Sequence, residues 1–193
     1  MEFPGSRVNG NLLVAYCREE GLATPSTLSV SAGWTIGYAV QQGNPRPAIV
    51  AYAYVTGSET APTFTASAGS DSFIAQVLQY SGTIGSSPFG NATTGWHDGT
   101  TGFDGGSNVP MRCPSILTAH PGSTALNIAL INPGVTAAPS TPTGWTSRTT
   151  TTQVANVSDM ALATGGTYTG GIMLAADPAH ANWTEIIVEI RSQ

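Results

Sequence analysis

With 193 residues, of which only 9% are charged, and a net charge of −5, the chain suits a single all-β domain with a weakly charged, hydroxyl-rich surface. All six cations are arginines, scattered from Arg7 to Arg191, so the clustered positive charge that phosphate binding requires is missing and nucleic acid is not an expected partner. The lack of lysine excludes Schiff-base chemistry, a P-loop lysine and a Lys-Asn isopeptide crosslink within the chain.

Taken in chain order, Met1-Glu2-Phe3-Pro4-Gly5 has neither the basic nor the apolar region of a signal peptide. Ala48 to Val55, the longest apolar run, is too short to span a bilayer, so a soluble chain made in the cytoplasm with no membrane partner is expected. Predicted strands cover Asn11 to Cys17, Thr27 to Ser31, Thr35 to Gln41, Ala48 to Val55, Pro62 to Ala66 and Ser72 to Tyr80. They are separated by turn-forming pairs such as Glu20-Gly21 and Thr56-Gly57. After a Gly-rich stretch, further strands are predicted at Ile116 to Thr118, Ala125 to Ile131, Thr146 to Gln153, Asp159 to Ala163, Gly171 to Ala175 and Thr184 to Arg191. No segment carries a helical apolar period.

These strands read as two copies of one unit. Gly33-Trp34-Thr35 recurs 111 positions later as Gly144-Trp145-Thr146, Ala48-Ile49-Val50-Ala51 falls on Asp159-Met160-Ala161-Leu162, and Val77 falls on Val188. The expected fold is an all-β, jelly-roll-like antiparallel β-sandwich built from two similar halves. It forms one domain over 1–193, with half one about 7–82, a Gly-rich connection 83–114 and half two about 115–193. A constant offset matters because side chains alternate faces with period 2. In half two, Ile186, Val188 and Ile190 are expected to face the core, leaving Glu185, Ile187, Glu189 and Arg191 to water. The same shift makes Phe73, Ala75 and Val77 inward and Ile74, Gln76, Leu78 and Tyr80 outward in half one. An apolar outward face calls for a cover. Ile74, Leu78 and Tyr80 are therefore candidate partner-interface residues, covered either by 83–114 or by another copy of the chain, a trimer being one such assembly.

Chemistry-bearing motifs are few. Trp96-His97-Asp98 with Phe103-Asp104 places an imidazole and carboxylates on one connection, where they form a candidate ligand contact. The Asp-Gly pairs there are also turn formers, and the spacing is not that of a calcium loop. No G-x-S-x-G, H-E-x-x-H or C-x-x-C occurs, and no catalytic residue, metal or cofactor is expected. Glu19, Glu59 and Asp71 are the carboxylates that would have to converge in a glycosidase. Trp34 and Trp145, matched between copies, read as caps of the core; the unmatched Trp96 and Trp183 are the better candidates for contact with a glycan. Cys17 and Cys113 are the only cysteines, and both free thiols and a mutual disulfide are compatible with their spacing.

Gly10-Asn11-Leu12-Leu13-Val14-Ala15, Gly33-Trp34-Thr35, Ile49-Val50-Ala51-Tyr52 and Val77-Leu78-Gln79-Tyr80-Ser81-Gly82 resemble β-sandwich virion proteins of tailed bacteriophages, which are related to modules in bacterial surface proteins. Ala125-Leu126-Asn127-Ile128-Ala129-Leu130 and Gly144-Trp145-Thr146 continue the likeness, although only about ten residues precede the first motif. The resemblance implies a non-enzymatic capsid decoration or cement protein on the virion surface, with the major capsid protein and copies of itself as partners. A tail-fibre or spike module binding a glycan receptor is the alternative, and a secreted glycoside-active enzyme the third reading.

Overall fold

The computed structural model describes residues 3, 5–20, 26–40, 46–68, 72–83, 85–97, 110–111, 115–131, 139–149, 155–169, 172–173 and 183–192, with the backbone alone at 96–97, 110–111, 169 and 172–173. The protein is all-β and antiparallel, consistent with a β-sandwich, and no helix occurs among the described residues. Two compact units divide it: 1–88 with 192–193, and 89–191.

The first unit contains β1 (Leu12–Glu19), β2 (Leu28–Val30), β3 (Thr35–Val40), β4 (Ala48–Tyr54), β5 (Phe64–Ala66) and β6 (Phe73–Tyr80). A four-stranded sheet runs β3-β4-β1-β6, and β2 pairs with β5 in a separate two-stranded sheet. Period-2 alternation puts Leu13, Ala15 and Cys17 of β1 on one face with Ile49, Ala51 and Ala53 of β4 and Val77 of β6. That face packs against Leu28, Val30, Phe64 and Ala66 of the smaller sheet. An isolated bridge joins Thr83 to Ser192.

The second unit contains β7 (Phe89–His97), β8 (Pro110–Met111), β9 (Ser115–Thr118), β10 (Thr124–Ile131), β11 (Thr146–Ser147), β12 (Ala155–Ala161), β13 (Gly166–Thr169), β14 (Ile172–Met173) and β15 (Trp183–Ile190). Its main sheet runs β11-β12-β10-β15-β7, while β9 pairs with β13 and β8 with β14. The connection 83–114 is therefore not only a linker: part of it is β7, the edge strand beside β15. Sequence periodicity misses β7 because Gly90, Asn91 and Gly95 interrupt its apolar alternation.

The first four strands of the second main sheet have the order of the first unit's sheet, and the ladders fix which positions correspond. Thr35 pairs with Tyr52, Tyr52 with Val14 and Val14 with Leu78. Thr146 pairs with Asp159, Asp159 with Leu126 and Leu126 with Val188. The offsets are thus 111 (35 to 146), 107 (52 to 159), 112 (14 to 126) and 110 (78 to 188), not a constant 111. Val188 corresponds to Leu78, and Val77 to Ile187. The expected register is one residue out in the last strand, which exchanges its faces. Cluster membership agrees with the ladders: Leu13, Trp34 and Val77 share a cluster in the first unit, as do Ala125, Trp145 and Ile187 in the second.

Local turn chemistry repeats as well. The Trp34 N–H donates to Ser31 O and the Trp145 N–H to Pro142 O, each across a turn whose third residue is a glycine at positive φ, 90° at Gly33 and 86° at Gly144. A side chain is strained in that conformation, which is why glycine precedes tryptophan at both places.

The expectation that Glu185, Ile187 and Glu189 meet water is corrected outright. All eight residues of β15 are buried, so neither face of the strand meets water.

Candidate functional site

The best-defined polar constellation gathers around Glu189. β15 and β7 pair regularly from Trp183 opposite His97 to Val188 opposite Ala92, then shift so that Ile190 lies opposite Phe89. Gly90 and Asn91 therefore oppose the single residue Glu189, the arrangement of a β-bulge. The fully buried carboxylate turns into it: Oε2 accepts the Asn91 N–H at 3.2 Å, and Oε1 accepts the His120 N–H at 3.0 Å and lies 3.3 Å from His120 Nδ1. Gly90 is needed for the approach, since a Cβ there would collide with Glu189 Oε2. Burial alone would raise the pKa of Glu189. Hydrogen bonds from the backbone of His120 and Asn91, with the charge of His120 and the Ala119 backbone, outweigh burial and lower it. The carboxylate thus ties together β15, β7 and the turn that precedes β10, in which the Ser123 N–H donates to His120 O and Gly122 has φ 79°.

On the same face of that sheet lies a second polar group. Asn127 is flanked across the strands by Ser158 and Ile187, and the neighbouring row holds Asn156, Ala129 and Glu185. The matching positions of the first unit are Ala15, Ala51, Ile49 and Ala75, so one unit is apolar where the other is polar. The Asn156 amide donates to Pro139 O at 3.0 Å and to Thr141 Oγ1 at 2.9 Å, whereas both ends of the Asn127 amide and the Ser158 hydroxyl have no hydrogen-bond partner among the described residues. Each such buried group costs about 1–3 kcal/mol relative to a bonded one.

In the first unit, the end of β1 carries buried charge. Glu20 stands between Arg18, with Nη1 2.9 Å from Oε1, and Arg46, with Nη1 3.0 Å from Oε2. Burial lowers the Arg18 pKa to about 10, with Glu20 opposing that fall. Burial raises the Glu20 pKa against the pull of both arginines. Arg18 thus keeps its charge at neutral pH, and the trio locks the strand end rather than offering a nucleophile. Burial also pushes the Cys17 thiol upward, with Glu19 and Glu20 adding to it, so this free, buried cysteine is not a reactive one. Cys113 lies outside the described residues, as do Asp71, Asp98, Phe103 and Asp104.

The expected contact residues are dispersed. Trp96 and His97 end β7, opposite Thr184 and Trp183 respectively. Trp183 is only 4% exposed, so its indole is not an open platform for a sugar ring. Trp34 and Trp145 are buried too, and Trp34 Nε1 donates to Thr60 O at 3.0 Å. Glu59 belongs to an exposed turn, where bonds from the backbone and hydroxyl of Thr56 and the backbone of Gly57 lower its pKa to about 2. Arg7 pairs with it at 2.5 Å. Among the candidate interface residues, Leu78 is buried, whereas Ile74 and Tyr80 are half-buried. Among the described residues no three His, Cys, Asp or Glu side chains gather as a metal site.

Sequence reading misses Glu189, His120 and Asn127. Their roles depend on strand pairing over long separations, 98 positions between Asn91 and Glu189, and only the Gly-Asn pair within β7 hints at a bulge. Comparison with protein-family models, curated proteins and solved structures gives no match to this chain.

Proposed function

We propose that the protein is a structural component of a tailed-bacteriophage virion, and specifically a capsid decoration protein that docks on the head surface. The observation that carries this reading is Leu117. It is 64% exposed on β9, between the buried Ile116 and Thr118, and its carbonyl accepts a 2.6 Å bond from Asn91 Nδ2. The backbone beneath it is held on both sides, so the leucine is presented to solvent at little conformational cost, as a docking anchor requires. Beside it Thr167 is exposed, and the chain as a whole carries few charges to desolvate when packed among repeated neighbours. The resemblance of the Gly-Asn-Leu-Leu and Gly-Trp-Thr segments to phage β-sandwich proteins supports the same reading.

The test is binding of purified protein to empty capsids of the encoding phage. Saturable binding is expected, and Leu117→Asp should weaken it at least about tenfold while leaving the melting temperature unchanged. Wild-type protein that fails to bind capsids, or Leu117→Asp that binds as well as wild type, would reject the reading.

A further inference from the structure

In the second unit β15 is completed on its outer side by β7, whereas β6, its counterpart, ends the sheet of the first unit among the described residues. The opposite edges, β3 and β11, correspond and both end their sheets, so among the described residues the two units differ at one edge only. From Leu78 opposite Val188, the counterpart of Glu189 is Gln79. Glu189 accepts the N–H of Asn91 from the added strand, and its counterpart shows the complementary gap. The Gln79 amide nitrogen donates to Ser6 O at 3.4 Å, but the buried Oε1 has no partner among the described residues. An acceptor is thus held where the second unit receives a strand's N–H.

Beside this edge runs a groove of about 410 Å³ lined by Phe73 and Ala75 of β6 and by Pro62, Thr63 and Phe64 at β5. The strand itself reads Phe-Ile-Ala-Gln-Val-Leu-Gln-Tyr, with no charge and no proline. Natural sheets use such residues to keep bare edges from pairing, and β6 carries none of them.

We infer that the outer edge of β6 pairs antiparallel with β6 of a second copy of this chain, joining two four-stranded sheets into one. The absence of charge favours a like partner, since two identical strands of this sequence meet without repulsion. In an antiparallel pair the Gln79 end of each strand meets the Phe73 end of the other, where a bulge like that of Gly90 and Asn91 opposite Glu189 turns a backbone N–H toward each Gln79 Oε1 and apolar side chains lie over each groove. This inference is independent of the capsid reading, because it concerns the isolated protein.

Sedimentation of the full chain across a dilution series tests it, read with amide hydrogen exchange of β6. Wild type should be a dimer whose β6 amides become better protected as concentration rises. Gln79→Lys, which sets a donor against a donor, should raise the dimer dissociation constant at least about tenfold while leaving unchanged the melting temperature measured at dilutions where both proteins are monomers. Gln79→Glu restores the acceptor that the second unit uses and should keep the dimer. A wild type that stays monomeric at every concentration would overturn the inference, as would a dimer indifferent to Gln79→Lys, or β6 protection that appears only when capsids are added.

Discussion

Aspartate in place of Val188 should lower stability by more than about 4 kcal/mol, and Leu78→Asp should do nearly the same. Both side chains are buried, and the ladders give them the same place: Val188 opposite Leu126 in one sheet, Leu78 opposite Val14 in the other. A carboxylate at either position would enter a strand centre with no cation beside it, so the chain would protonate it at a cost or open. The sequence leaves two results open: with Leu78 covered by 83–114 the substitution destabilises the monomer, and with Leu78 covered by another copy of the chain it is felt only in assembly. Urea unfolding followed by tryptophan fluorescence separates the two. A Leu78→Asp protein with wild-type stability would show that the correspondence of β6 with β15 fails.

Glu189→Ala should cost about 3 kcal/mol, because the backbone N–H groups of Asn91 and His120 would lose their acceptor in a buried bulge. Gly90→Ala should destabilise by the opposite route, forcing a methyl against the same carboxylate. The pH dependence identifies the mechanism. Since the folded-state pKa of Glu189 lies below its unfolded value, its contribution is complete above the ordinary carboxylate range, near pH 4.3, and is lost as pH falls through the folded pKa. Glu189→Gln should therefore cost stability at pH 7, with the gap from wild type narrowing as the solution is acidified. Thermal melts of the two proteins over that range test this. A gap that stays constant with pH would mean that the ionised carboxylate is not what holds β7 to β15.

The sequence by itself determined that this protein is all-β, where most strands lie and where its tight turns fall. These features depend on neighbours in the chain. Near-continuous apolar runs mark β1 and β10, and the Gly-Trp pairs mark turns whose positive φ only glycine adopts without strain. Register and burial were decided by tertiary structure. From Thr35 to Ala48, the first pair of strands is linked over 13 positions, whereas Thr146 to Ala155 takes 9, and that difference of four moves the offset from 111 to 107. Motif matching across the loop does not register such a change, because a loop absorbs residues at little cost while a strand fixes every side chain to a face. The roles of the glutamates were likewise invisible in the chain. Glu185 and Glu189 alternate with apolar residues as a solvated face would, and only the pairing of β15 with both β10 and β7 places them inside, where the Glu189 carboxylate persists by accepting the N–H groups of Asn91 and His120 rather than by meeting water.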